Sequence, residues 1–204
     1  MDNTSKKMKN IIVAIIIIVT FLFIDNGMNV CAKDYYTFND HKMTGGVGQY
    51  GKYRRYYYIL SSADSYKSKI STAMDEWVHT NYTTSLSFRK TSDRKNSVVD
   101  VMATSKIGSH SSGVLAWTEF YKHGGGSVNP DKSNWKYTYV KIYKPNFKDK
   151  GVSQKGTIAH EFGHCFGLAH NNSKPKSIMC QTAYGRSVSK AQKCDLKGIN
   201  HLYK

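Results

Sequence analysis

Three histidines and a glutamate in the C-terminal third of the chain have the types and the spacing of a zinc site. They lie in the segment 160–170, which reads His-Glu-Phe-Gly-His-Cys-Phe-Gly-Leu-Ala-His. On an α-helix, His160 and His164 are separated by about 40° and one turn, so both imidazoles project from one face. This spacing suits two ligands of one tetrahedral zinc ion.

Gly167 and His170 complete the predicted site. A glycine just past a helix end adopts the left-handed conformation that turns the chain, so Gly167 is expected to return His170 as a third ligand. Three protein ligands leave the fourth position for water, as in catalytic zinc sites. Glu161 lies beside two of the ligands, and we expect it to accept a proton from this water. The pattern therefore predicts one catalytic Zn²⁺.

The elements that must position these residues follow from the apolar periodicity of the chain. Helices are predicted over about 65–81, 153–167 and 189–203. Strands are predicted at 54–60, 85–88, 98–102, 113–120 and 135–143. In the helix with the metal ligands, Ile158, Phe162 and Phe166 lie on the opposite side and should face the core. Short strands flanked by helices predict an α+β domain with a mixed sheet.

The segment 160–170 resembles the long motif of the metzincin zinc proteases, which a Met-turn follows. Met179 lies at a suitable distance, and the resemblance implies that it forms an apolar floor beneath the zinc. Residues 53–204 are similar to the matrixin branch. The runs that carry this similarity are 73–77 (Ala-Met-Asp-Glu-Trp), 113–117 (Gly-Val-Leu-Ala-Trp) and 195–203. The resemblance implies a zincin-like fold with a twisted mixed sheet, an active-site helix, a Met-turn and a C-terminal helix.

A member of this branch would be a secreted zinc metalloendopeptidase that hydrolyses peptide bonds of extracellular proteins. A peptide or protein substrate would lie extended along an edge strand near Leu115 and Ala116. The resemblance alone implies that Tyr184 walls the pocket for the side chain after the cleaved bond. Asn171 is a departure, because matrixins usually have serine after the third histidine. We also expect no latency through a cysteine switch, because no propeptide of that kind is recognised.

A structural calcium ion or a second zinc ion is not supported by the sequence. The loop between Lys106 and Asn134 contains His110 and His123. It lacks the aspartate expected beside them at the structural metal sites of matrixins. An isolated histidine is usually not a ligand, so we expect neither to bind metal.

Residues 1–32 have the pattern of a signal peptide. Three lysines precede an apolar run at 11–24, which is short for a membrane span of about 20 residues. Cleavage is expected after Ala32, which would secrete the protein. An uncleaved anchor that retains the protein at the cell surface is the alternative, and a lipoprotein is less favoured. Residues 33–52 are polar and glycine-rich and predict a flexible lead-in to the catalytic domain at 53–204.

The chain is strongly basic, with a formal net charge of +16. Loss of residues 1–32 removes three lysines and two aspartates and leaves about +15. This charge favours anionic cell-wall or surface polymers, although a role in solubility alone is an equal alternative. No nucleic-acid-binding motif is recognised, so we expect no specific nucleic acid partner. We expect a monomer.

The expected cleavage leaves Cys165, Cys180 and Cys194, an odd number for an oxidising compartment. We favour a disulfide bond between Cys180 and Cys194, with Cys165 as a small buried residue in the helix. A rival interpretation is a basic binding module with a structural zinc ion. Glu161 argues against it, because a structural site needs no carboxylate beside its ligands. Nothing in the sequence separates a general protease from one that cleaves a single host protein.

Overall fold

The computed structural model describes residues 35–148 and 153–204. The predicted signal peptide lies outside these ranges. None of the helices in the described part combines the length and the apolar character that crossing a membrane requires.

A five-stranded sheet and three α-helices form the domain. The strands are β1 (Arg55–Ile59), β2 (Phe88–Lys90), β3 (Val99–Thr104), β4 (Ala116–Tyr121) and β5 (Tyr137–Tyr143). The helices are α1 (Lys67–Val78), α2 (Gln154–Cys165) and α3 (Lys193–Leu202), with short 3₁₀ turns at Ser61–Tyr66, Arg94–Asn96 and Thr182–Tyr184. The strand order is β2-β1-β3-β5-β4. All pairs are parallel except the edge strand β4, which is antiparallel to β5. The predicted α+β fold with a mixed sheet is confirmed.

The core lies between one face of the sheet and helices α1 and α2. Alternate residues of β5 are buried, and the predicted apolar stripe of α1 is buried too, at Ile70, Ala73, Met74, Trp77 and Val78. Two tryptophan side chains hold helix α2 by its backbone. Trp77 Nε1 donates to the carbonyl oxygen of Ala159 at 2.9 Å, and Trp135 Nε1 donates to that of Cys165 at 3.1 Å. Helix α2 is therefore fixed between α1 and the sheet.

Residues 35–52, which we expected to be a flexible lead-in, pack against the domain instead. Met43 and Val47 are fully buried, and the backbone N–H of Ala169 donates to the carbonyl oxygen of Tyr36 at 2.7 Å. These apolar residues are isolated among polar residues and glycines, so this part of the sequence shows no helical or strand periodicity. Contacts with distant parts of the chain order them.

The disulfide bond that we favoured between Cys180 and Cys194 is not formed. Cys180 is a buried free thiol, and its Sγ lies 3.5 Å from the carbonyl oxygen of Gln181 and 3.6 Å from that of Tyr184. The thiol thus points at the carbonyl groups of its own turn. Cys165 is a buried free thiol as expected, and burial raises its pKa to about 12.

Candidate metal centre

Helix α2 begins and faces the core as the sequence predicts. The hydroxyl of Ser153 caps the first turn by accepting from the backbone N–H of Gly156 at 3.0 Å. Every residue from Gly156 to Cys165 is buried, and the three predicted core residues Ile158, Phe162 and Phe166 are wholly inaccessible. Packing on both sides therefore gives His160 and His164 little freedom to move.

The turn that follows α2 depends on a glycine. Gly167 has a φ of +107°, its N–H donates to His164 O at 3.0 Å, and the N–H of Leu168 donates to Gly163 O at 3.0 Å. These two hydrogen bonds form a Schellman motif, which satisfies carbonyl groups at the helix end and reverses the chain. The reversal returns His170 towards the helix, as predicted.

The three histidines converge on one point. His164 Nε2 lies 3.1 Å from His160 Nε2 and 3.2 Å from His170 Nε2. Ligand atoms of the three residues all lie within 4.8 Å of one another. Two nitrogens bound to one tetrahedral zinc ion at about 2.05 Å would be separated by about 3.3 Å. The spacing of the imidazole nitrogens therefore fits a zinc ion.

The protonation of two of these rings gives an independent test of the fit. His160 Nδ1 lies 2.8 Å from the carbonyl oxygen of Ile178, and His164 Nδ1 lies 2.7 Å from that of Leu168. A carbonyl oxygen only accepts, so each Nδ1 carries the hydrogen and each Nε2 of a neutral ring presents a lone pair. Two lone pairs facing each other at 3.1 Å cannot form a hydrogen bond. A cation between them satisfies both.

Burial keeps these rings neutral. It lowers the pKa of His164 to about 3, with help from the nearby His170, and it also lowers the pKa of His160 and of His170. Neutral imidazoles are the form that binds metal. His170 is the most exposed of the three, so the centre opens to solvent on its side.

The carboxylate of Glu161 is buried beside the histidines and is held by a residue that the sequence analysis missed. Thr118 Oγ1 donates to Glu161 Oε2 at 2.8 Å. Burial raises the pKa of Glu161 to about 7, while the Thr118 hydrogen bond and the charge of Arg186 act to lower it. The alternation of side chains along β4 could have indicated Thr118, because Thr118 lies on the same face of the strand as the buried Phe120.

Met179 lies directly against helix α2 at Gly163. Its side chain is 1% exposed. A Cβ added at Gly163 would lie only 2.2 Å from Met179 Sδ, so the thioether occupies the space that the glycine leaves. Gly163 stands one residue before the second histidine of the cluster. The apolar floor that the resemblance implied for Met179 stays a prediction.

A buried carboxylate on α3 holds the segment around Met179. Asp195 accepts from the Ser177 hydroxyl at 2.5 Å, from the Ile178 N–H at 3.1 Å and from the Gln192 N–H at 2.8 Å. Ile178 in turn accepts from the ring of His160. Asp195 is therefore connected to a histidine of the cluster through a single residue. The sequence analysis did not identify it.

The edge strand leaves a short stretch of backbone open beside Glu161. Leu115 O accepts from Tyr143 N at 2.9 Å, so the backbone groups of Leu115 point towards β5. Because these groups alternate, those of Ala116 and Thr118 point to the free edge. Carbonyl groups on either side of this stretch already accept hydrogen bonds within the protein. Asn146 donates to Ser112 O and Val114 O, and Val128 N donates to Phe120 O.

The remaining predicted residues lie apart from the histidine cluster or at its rim. Tyr184 lies in the 3₁₀ turn after Met179, and its side chain is 59% exposed. The ring of His110 packs against that of Trp117, with centroids 4.4 Å apart and an interplanar angle of 38°, and His123 is exposed. Within residues 35–148 and 153–204, three or more potential ligands meet in one group only, the three histidines of the α2 centre.

A comparison with known protein families agrees with this geometry. A family model described as Matrixin (Peptidase_M10) matches residues 52–204. The match covers about three quarters of the chain and includes the histidine cluster, the segment around Met179 and the edge strand β4.

Proposed function

The chain belongs to the matrixin family of zinc-dependent metalloendopeptidases, and on this premise we propose that it is secreted and hydrolyses peptide bonds of extracellular proteins. In this proposal His160, His164 and His170 bind one zinc ion, and Glu161 is the general base. The N-terminal pattern supports secretion with cleavage after Ala32. The positive charge supports retention at anionic polymers.

The convergence of three neutral imidazoles beside a buried carboxylate is the observation that carries this proposal. Zinc bound there would act as a Lewis acid towards the substrate carbonyl and would make water a nucleophile near neutral pH. A structural zinc site closes with four protein ligands. Among the described residues only three potential ligands meet, the three histidines, and Glu161 lies next to them. This arrangement favours catalysis.

Glu161 would take the proton of the attacking water and deliver it to the leaving amine. A carboxylate can do this only if it keeps a fixed orientation towards the water. Thr118 supplies that orientation, because its hydroxyl binds one carboxylate oxygen and leaves the other free. We assign Thr118 as a positioning residue.

The open backbone of β4 supports an extended substrate. The N–H and C=O groups of Ala116 and Thr118 would pair with a peptide added as a sixth strand at the edge of the sheet. Asn146 and Val128 already cover the neighbouring carbonyl groups, which limits pairing to a few residues. The open stretch lies beside Glu161, to which Thr118 is hydrogen-bonded, so an added peptide would pass the proposed base.

The experiment compares the secreted wild-type protein with a Glu161→Ala variant. Zinc is measured by elemental analysis, and cleavage of a peptide library is read by mass spectrometry, which also locates the N-terminus. We expect one zinc ion in both proteins, cleavage only by the wild type, and an N-terminus at Lys33. Cleavage that survives Glu161→Ala, or a wild type that binds no zinc, would contradict the proposal.

A further inference from the structure

We propose that Arg186 makes this enzyme select an acidic side chain in the substrate residue that follows the cleaved bond. This inference rests on the proposed peptidase function and names its substrate class. It starts from the guanidinium group of Arg186, which lies near Glu161 but has no role in the proposed mechanism.

The guanidinium of Arg186 lies between helix α2 and the turn after Met179. Its Nη2 donates to Thr157 Oγ1 at 3.3 Å and to Thr182 Oγ1 at 3.1 Å. Its Nη1 donates to the carbonyl oxygen of Cys180 at 3.4 Å. These contacts show that the guanidinium bridges helix α2 and the turn.

This bridge lies near the proposed base. Thr157 precedes Glu161 by four residues on α2, so the two side chains lie on the same helix face, one turn apart. The turn after Met179 is the proposed wall of the pocket for the side chain after the cleaved bond. Arg186 therefore lies where this proposed pocket meets helix α2.

Arg186 has no carboxylate partner at ion-pairing distance. The four ion pairs of residues 35–148 and 153–204 involve other residues, and all three hydrogen-bond acceptors of Arg186 are uncharged. The side chain is half-buried, and burial lowers its pKa. The charge of Glu161 acts to raise this pKa but does not outweigh burial, so the desolvation cost is only partly compensated and an entering carboxylate would relieve it.

Donor groups remain for such a ligand. A guanidinium has five N–H donors, and the three hydrogen bonds leave two of them unused. Nε and one N–H of Nη1 take part in none of these three hydrogen bonds. A substrate carboxylate would gain a charge-assisted hydrogen bond there. The net charge of +16 would attract acidic substrates to the protein in general.

The test uses fluorogenic peptides built on the best sequence from the library. They differ only in the residue after the cleaved bond, which is Glu, Gln, Leu or Lys. For the wild type we expect kcat/KM to be at least about tenfold higher for Glu than for Gln, the gain of one charge-assisted hydrogen bond. Arg186→Gln should bring this ratio close to one, whatever its effect on the rate for the Gln peptide. Arg186→Lys should keep part of the preference, and Arg186→Glu should favour the Lys peptide.

Two results would overturn the inference. One is a wild type with no preference for Glu over Gln. The other is an equal loss by Arg186→Gln on all four peptides, which would mean that Arg186 only supports the wall or Glu161. Thermal unfolding shows whether each variant is folded. If Arg186→Gln does not fold, the Glu-to-Gln ratio of Arg186→Lys is compared with that of the wild type instead.

Failure of the proposed function is distinguishable from failure of the inference. Cleavage of the Leu peptide that Glu161→Ala abolishes shows a peptidase, whatever the acidic preference. If no peptide is cleaved, binding of the same four peptides to Glu161→Gln, with and without Arg186→Gln, is measured by fluorescence anisotropy. Tighter binding of the Glu peptide that depends on Arg186 would support the selectivity, and equal binding would refute it.

Discussion

The hydroxyl of Thr118 donates to the carboxylate of Glu161 at 2.8 Å, and it also lies 3.1 Å from the carbonyl oxygen of that residue. Thr118 lies on the edge strand β4, and Glu161 lies on helix α2. One hydroxyl thus connects the strand proposed to bind the substrate with the proposed general base. A shift of the strand would move the carboxylate as well.

Thr118→Val should lower kcat by about 10- to 100-fold, because a hydrogen bond to a charged group contributes about 1.5–3 kcal/mol. KM and zinc content should change little, since the backbone of the strand is kept. Thr118→Ser retains the hydroxyl and should restore most of kcat. Steady-state kinetics on one peptide measure all three proteins. A Thr118→Val variant with wild-type kcat would show that the hydroxyl does not position Glu161.

Asp195→Ala should weaken zinc binding by about 10- to 100-fold, the usual effect of losing a group that orients a metal ligand. The carboxylate holds Ile178, whose carbonyl group orients the ring of His160. Competition with a zinc chelator gives the affinity. Asp64→Ala is the control, because Asp64 is exposed on the 3₁₀ turn before α1. Equal zinc affinity in the two variants would refute the proposed role of Asp195.

Gly163→Ala should destabilise the protein by about 1–3 kcal/mol, the usual cost of overfilling a packed core. The new methyl group would lie 2.2 Å from Met179 Sδ and 3.2 Å from Trp77. Denaturant unfolding measures the loss. The matched control is Gly126→Ala, because nothing lies within 4 Å of a Cβ at that position. If both variants unfold at the same denaturant concentration, Met179 does not fill the space at Gly163.

Glu119 should make the stability of the edge strand depend on pH. Burial acts to raise its pKa, but hydrogen bonds from Lys141, Trp117 and Tyr121 outweigh burial and lower the pKa below 4.5. A carboxylate with a lowered folded-state pKa stabilises the fold above its unfolded-state pKa, and this contribution is lost as the pH falls through the folded-state value.

Glu119→Gln should therefore cost about 0.5–1 kcal/mol near pH 7, a modest value because the Glu119 side chain is 29% exposed. Below pH 4.5 the wild type should approach the variant. Urea unfolding at several pH values measures the difference. A difference that stays constant from pH 7 to pH 3 would show that the charge of Glu119 contributes nothing.

The sequence predicted those features of the fold and of the candidate site that depend on local spacing. The positions of His160 and His164 on α2 follow from the helical repeat, and the return of His170 follows from one glycine. The strands appeared as alternating or apolar runs. The order of the strands and the antiparallel edge came from the structure, because pairing between strands is a property of the whole fold.

The features that the sequence did not predict depend on contacts between distant segments. Thr118 and Asp195 form hydrogen bonds with residues 43 and 17 to 18 positions away, and no local pattern marks such pairs. Residues 35–52 are ordered by contacts with the turn around Ala169 and with the core. The expected disulfide bond between Cys180 and Cys194 is not formed, and the number of cysteines alone could not show where each thiol points.

The most direct test of the account is a zinc titration of the metal-free protein. A chelator removes the metal, and peptide cleavage is followed as zinc is added back. We predict no cleavage without metal, full recovery at one zinc ion per chain, and no recovery for His164→Ala under the same conditions. Cleavage by the metal-free wild type, or recovery by His164→Ala at one equivalent, would contradict the proposed three-histidine catalytic centre.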